Sequence, residues 1–341
     1  MTLPVGKLPA ELLGRLIGAY GSSDPTVLVG PGVGGDAAAI DLGTTTLVVK
    51  SDPITFARES PAQYLVDVNA NDLACLGATP RWLMVTALLP VGTSKDGIEA
   101  HFRELRDVCV ARSVSLVGGH TEITPAVGRP VLVGVLLGEA RPGALLRPGG
   151  ARPGDVLLLT KALALEGTAL VARELGDRLG GEVGPDIVER AATFLADPGI
   201  SVVPEAMAVL GAGGVTALHD PTEGGLVTGV RELGLAAGCG MTVDREAVPV
   251  LPETAAIAAA LELDPLGMLA SGSLLVAAEA GSVDGLVAAC DAIGIRATAI
   301  GQVADRGGPF TLRLGSDERE LPVYESDEVA RVLSGIPGSS A

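Results

Sequence analysis

"VNANDLACLGATP", residues 68–80, has the 3.6-residue spacing of a buried helix but carries three polar side chains within it. Leu65, Asn69, Asp72 and Leu76 fall at i, i+4, i+7 and i+11, so they share one face, apolar at both ends and polar at its centre. Asn71 points to another side, where a supporting or capping role suits it. A carboxylate left unpaired inside such a stripe costs about 3–5 kcal/mol. Asp72 is therefore on a solvated helix face, is paired with a base, of which Arg81 is the nearest along the chain, or lines a ligand groove.

Other acids stand at strand ends and glycine turns. Asp36 closes "GVGGD", Asp52 ends "LVVKSD" and Glu122 follows "LVGGHT". Carboxylates gathered together repel one another, and a hard divalent cation bound through oxygen relieves the repulsion. Magnesium fits this chemistry, because it uses one or two carboxylates, waters and the phosphates of its ligand. Gly34, Gly35, Gly118 and Gly119 beside these acids let backbone N–H groups approach phosphate oxygens. Strand alternation turns Lys50 away from Ser51 and towards Asp52, where an ion pair explains it. His120 is either a satisfied structural residue or a neutral imidazole able to donate to phosphate or act as a base near pH 7.

Working outward, residues 5–20 read as a helix, "TVLVG" as a strand, "PGVGGDAAAID" as a glycine loop and "TTLVVKSDPIT" as a second strand. "RWLMVTALLP", "VSLVGGHTE" and "PVLVGVLLGEA" are further strands, with a helix from about Ser94 to Ser113 between the first two. Trp82 is most simply core. "RPGALLRPGGARPGD", residues 141–155, links the halves. The second half has the strands "DVLLLT", "SLLVAAE" and "RATAIGQV" and helices within "EGTALVARELG" and near 187–210, 223–237 and 283–292. The whole is α/β (α+β) in two domains. "HDPTEGG" reads as a capping box, with Asp220 at the N-cap and Glu223 three residues on, and equally as a turn where a substrate is met. Lys161 reads as a surface lysine at a strand end, or as a phosphate contact.

Gly30, Gly32 and Gly35 satisfy GxGxxG, but about five residues later comes another turn and strand, with no crossover helix to aim at a pyrophosphate. No GxxxxGK[ST] loop occurs. The net charge of −17 and the eight aromatic residues oppose a nucleic-acid partner. No apolar stretch is read as reaching the roughly 18 residues of a membrane span. Cys75, Cys109, Cys239 and Cys290 are dispersed among apolar neighbours and read as buried free thiols of a cytoplasmic protein.

Together, "GVGGDAAAIDLG", "VVKSDPITF", "VNANDLACLGATP", "LVGGHTEITP" and "HDPTEGGLVTGVRELGLAAGCGMTVDREAVPV" resemble the superfamily of aminoimidazole ribonucleotide (AIR) synthase, PurM, whose members include HypE-like proteins. The resemblance implies a PurM-like fold: an ATP-binding domain at 1–145, a C-terminal domain at 150–325, a short tail at 326–341, and a homodimer whose N-terminal sheets join in a barrel. It places ATP and magnesium on Asp36, Asp52 and Asp72, with Gly34, Gly35, Asn69, Gly118, Gly119 and Thr121 around the nucleotide. His120, Glu122 and Asp220 are the expected catalytic residues, and the substrate is a small molecule phosphorylated or activated by ATP. A HypE-like protein acting through a protein partner and a non-enzymatic nucleotide sensor are the alternatives. HypE proteins end in a reactive cysteine; this sequence ends "LSGIPGSSA", with Cys290 about fifty residues upstream.

Overall fold

Two compact units make up the chain, the smaller chiefly Asp36–Leu145 and the larger chiefly Leu146–Ser340. The structure, a computed structural model, describes residues 8, 10–21, 24–32, 37–55, 60–141 and 143–333. A helix, α1, covers Ala10–Tyr20.

In the smaller unit the strands are β1 (Val27–Val29), β2 (Ala38–Asp41), β3 (Thr46–Ile54), β4 (Ala78–Pro90), β5 (Ser115–Thr124) and β6 (Val131–Ala140). They form one sheet in the order β1-β2-β3-β6-β4-β5. All neighbours are antiparallel except β4 and β5. The segment expected as a glycine loop up to Asp41 thus ends in a strand, β2, and no helix opens there among the described residues. β6 alternates strictly between half-buried and buried positions, and its buried set includes Leu132, Gly134, Leu136, Gly138 and Ala140.

Helix α2 (Pro61–Cys75) packs against β3, β6 and β4. Pro61 supplies a preset first turn, and the side chain of Glu104 accepts from the Ala62 N–H at 3.3 Å, a bond that Ser60 does not make. Gly77, at φ 80°, follows the end of the helix. Glycine on β6 lets the helix lie close: a Cβ at Gly134 would stand 3.1 Å from Asn69 Nδ2 and 3.2 Å from the Leu65 side chain. Helix α3 (Lys95–Ala111) starts at Ser94, whose hydroxyl accepts from the Gly97 N–H at 3.1 Å.

The larger unit holds β7 (Val156–Thr160), β8 (Val215–His219), β9 (Cys239–Asp244), β10 (Leu275–Ala278), β11 (Ala297–Arg306), β12 (Phe310–Leu314) and β13 (Asp317–Glu320). Their order is β13-β12-β9-β11-β7-β10-β8. Its helices are α4 (Leu165–Val183), α5 (Pro185–Ala192), α6 (Val203–Ala212), α7 (Gly225–Ala237), α8 (Pro252–Ala260), α9 (Val283–Asp291) and α10 (Glu328–Leu333). Leu157, Leu159, Val171, Val230, Met241 and Ile300 are among the fully buried core. The single helix expected over 187–210 is two, α5 and α6, because Asp197 is extended and Pro198 removes a backbone donor between them. Residues Leu195–Ala212 do have the length and apolar character of a membrane span, contrary to the sequence reading. Only ten of them form α6, about 15 Å of helix against a hydrocarbon thickness of about 30 Å. All four cysteines are buried and free.

Candidate functional site

Strand alternation on β3 sends Val48, Lys50 and Asp52 to the same face, against α2. Lys50 Nζ lies 3.1 Å from Asp52 Oδ2 and 2.9 Å from Asp72 Oδ2. Asn69 Oδ1 accepts from the Asp52 N–H at 3.1 Å while its Nδ2 donates to Leu65 O at 2.8 Å, so one amide ties strand to helix. Asn69 and Asn71 are fully buried and Asp72 nearly so. This removes the solvated-face reading of α2. Asp72 pairs with Lys50, and Arg81 pairs instead with Glu139 and stacks on Trp82 at 4.5 Å. Trp82 is accordingly half-buried beneath a guanidinium rather than deep core. Burial works against the Lys50 ammonium, but Asp72 and Asp52 outweigh it and hold Lys50 above its ordinary range.

Asp36, Gly34 and Gly35 lie outside the described residues. The remaining two expected metal ligands, Asp52 and Asp72, enclose an ammonium. Among the described residues no three His, Cys, Asp or Glu side chains are gathered for one metal ion. A divalent ion beside Lys50 would add repulsion of about 4 kcal/mol per unit charge pair at 4 Å and an effective dielectric of 20. The Asp52–Asp72 pair as it stands does not fit magnesium.

Edge strand β5 brings the "GGHT" residues to a cavity of about 390 Å³, which Glu122 does not line. Gly118, Gly119, His120 and Thr121 line it, together with His101, Phe102 and Leu105 of α3. Gly119, at φ 145°, is required where β5 crowds β4, since a Cβ would lie 1.9 Å from Val85 O. His120 Nε2 is 3.2 Å from Glu122 Oε2, and both side chains are exposed. His101 was not singled out from the sequence; its helical spacing to Leu105 was the available signal. One turn beyond His101, Glu104 has its carboxyl raised by burial, against the bonds from Ala62 and the charge of His101.

Asp220 belongs to the larger unit and is buried. It is not the N-cap expected of it: α7 begins at Gly225, and Asp327 Oδ2 accepts from the Gly224 N–H at 2.7 Å. Asp220, with Glu223 and Asp327, instead acts through its charge on Glu166, a residue missed from the sequence because it sits in an ordinary helical pattern. Burial, with these three charges adding to it against a bond from Ser271, raises the Glu166 carboxyl to about 7. Lys161 is no surface lysine. Its ammonium is buried, 2.9 Å from the fully buried Glu205 and 2.6 Å from Ser201 O, and these contacts account for it without a phosphate.

Residues 34–140 match the AIR synthase related protein N-terminal domain and residues 152–312 its C-terminal domain. The chain belongs to the AIR synthase related family. Within that family it is 30% identical to carbamoyl dehydratase HypE of Cupriavidus necator over 262 residues, 76% of this chain and 72% of that protein. A crystal structure of a HypE–HypF complex is similar at a TM-score of 0.75 and 17% identity, covering 93% of this chain and all of that one. HypE in complex with ATP is similar at 0.70 and 22% identity, covering 92% and 91%. The fold of this AIR synthase related chain is PurM-like, two mixed sheets dressed with helices, as the resemblance implied.

Proposed function

We propose that the chain binds ATP through its smaller unit and uses it to phosphorylate or activate a small metabolite. The observation that carries this reading is the Lys50, Asp52, Asn69 and Asp72 cluster between β3 and α2, with Asn69 and Asp72 buried and Lys50 and Asp52 partly open, in a chain of the AIR synthase related family. Two buried polar side chains, Asn69 and Asp72, set against two half-buried charged ones are costly unless they serve a ligand or one another. The nucleotide brings charge to phosphoryl transfer, and positioning and neutralisation supply most of the catalysis. In this reading the Lys50 ammonium, its charge shared with Asp52 and Asp72, fixes the groove wall, the Gly118–Gly119 backbone on β5 meets phosphate oxygens, and the His120–Glu122 pair stands at the reacting end. Asp36, Gly34, Gly35 and Thr121 complete the proposed nucleotide contacts, and Asp220 is proposed on the substrate side. No step is routed through magnesium, for which the described residues supply no ligand set.

The protein is proposed to be a cytoplasmic homodimer joined through the smaller unit's sheet, a reading supported by exposed Leu116, Val117 and Ile123 on edge strand β5 and exposed Met84 on β4. A second reading, action through a protein partner, is favoured by the likeness to HypE and to a solved HypE–HypF complex.

Calorimetry with ATP, followed by phosphorus NMR in the presence of metabolite pools, tests the proposal. We expect micromolar binding and ADP formation. His120→Ala and Glu122→Gln, both at exposed positions, should lower turnover by about 100-fold, the range of general acid–base catalysis, with ATP affinity retained. No ATP binding by the wild-type chain refutes the reading. Binding without turnover until a second protein is added moves it to the partner version, and binding without turnover under any condition moves it to a sensor.

A further inference from the structure

The expected divalent site and the observed side chains disagree, and the disagreement has a specific form. Lys50 and Asp52 are two apart on β3 and share its helix-facing side, and Asp72 reaches the same ammonium from α2. Both contacts, 3.1 and 2.9 Å, are close ion-pair distances for an ammonium between two carboxylates. The place is partly closed, with Lys50 19% and Asp72 6% exposed at the side chain. The Asn69 bond fixes the Asp52 backbone, so strand and helix are set at this spacing. Magnesium bound by the same two carboxylates needs oxygens at about 2.0–2.1 Å and Lys50 expelled.

We infer that Lys50 is the resident cation of the Asp52–Asp72 pair, an internal ammonium standing where a divalent ion would otherwise bridge the two carboxylates. Asp52 and Asp72 are then positioning residues: they hold Lys50 charged and in place. The consequence for ATP rests on the function proposed above: any contact of this group with phosphate comes from the Lys50 ammonium, and that contact persists when divalent ions are removed. The cation assignment itself is independent of the nucleotide.

Manganese binding read by electron paramagnetic resonance, without nucleotide, tests it. Wild type and Asp72→Asn should bind manganese equally, because the pair is already filled. Lys50→Met keeps an unbranched side chain, one atom shorter and without the charge, and should gain one site per chain, at least tenfold tighter than any in the wild type. The gain should vanish in Lys50→Met with Asp72→Asn, and Lys50→Arg should not show it. Manganese bound by the wild type and lost in Asp72→Asn overturns the inference, as does a folded Lys50→Met variant, checked by circular dichroism, that gains no site. Should Lys50→Met not fold, the comparison of wild type with Asp72→Asn still decides. Calorimetry with ATP in EDTA is the separate arm: no ATP binding with or without magnesium ends the nucleotide proposal and leaves the manganese result standing.

Discussion

Arg112, just past the end of α3, reaches Asp67 on α2 with two bonds of 2.5 and 2.9 Å. Asp67 is fully buried while Arg112 keeps a third of its side chain in solvent. Removing the guanidinium alone strands a charge in the interior. Arg112→Ala should therefore cost about 3–5 kcal/mol, read as a lower urea midpoint, and Asp67→Ala added to it should recover part of the loss. An unchanged midpoint in Arg112→Ala would mean that Asp67 is solvated or paired otherwise. At this scale the sequence showed which residues are unusual but not whom they meet. The i, i+4, i+7 spacing placed Asn69 and Asp72 together, and the strand period turned Lys50 towards Asp52. That Lys50 also meets Asp72 depends on where α2 lies over the sheet.

Helix α2 lies where it does because β6 offers glycine beneath it. A side chain at Gly134 must push on Asn69 and Leu65, whereas a Cβ at Gly128, at the surface turn before β6, meets nothing within 4 Å. Gly134→Val should lower stability by about 1–3 kcal/mol and lengthen the Asn69–Asp52 tie, with Gly128→Ala as the near-neutral control. Equal thermal midpoints for the two variants would show that the helix has room to move. Elements with a clean period were legible in advance, among them α2, α3, β3 and β6. The failures have local causes. Pro198 splits the expected 187–210 helix at a point the apolar pattern runs straight through. The Asp220 capping box is a good local pattern that lost to a carboxylate, Asp327, more than a hundred residues away in sequence.

Across the molecule, Glu166 ties stability to pH. Its carboxyl is raised from an ordinary 4.5 to about 7, chiefly by burial, with Glu223, Asp327 and Asp220 adding to it. Between these values the folded chain holds a proton that the unfolded chain releases. Stability on this account is full below about pH 4.5, falls as pH rises to about 7, and is level beyond. The shift corresponds to at most about 3 kcal/mol. Glu166→Gln should flatten that part of the profile when urea midpoints of wild type and variant are compared from pH 4.5 to 8; parallel profiles would refute the assignment.

Alternation, helical period and turn residues settle strands and helices over short range, and the quoted motifs placed the chain in its family before any coordinates. Partners across elements are another matter. Whether Asp72 faces water, a metal or Lys50 is decided by the crossing of α2 over β3, and that crossing is set by packing many residues away. Charge pairing is a property of distance in space, which sequence spacing measures only within a single helix or strand.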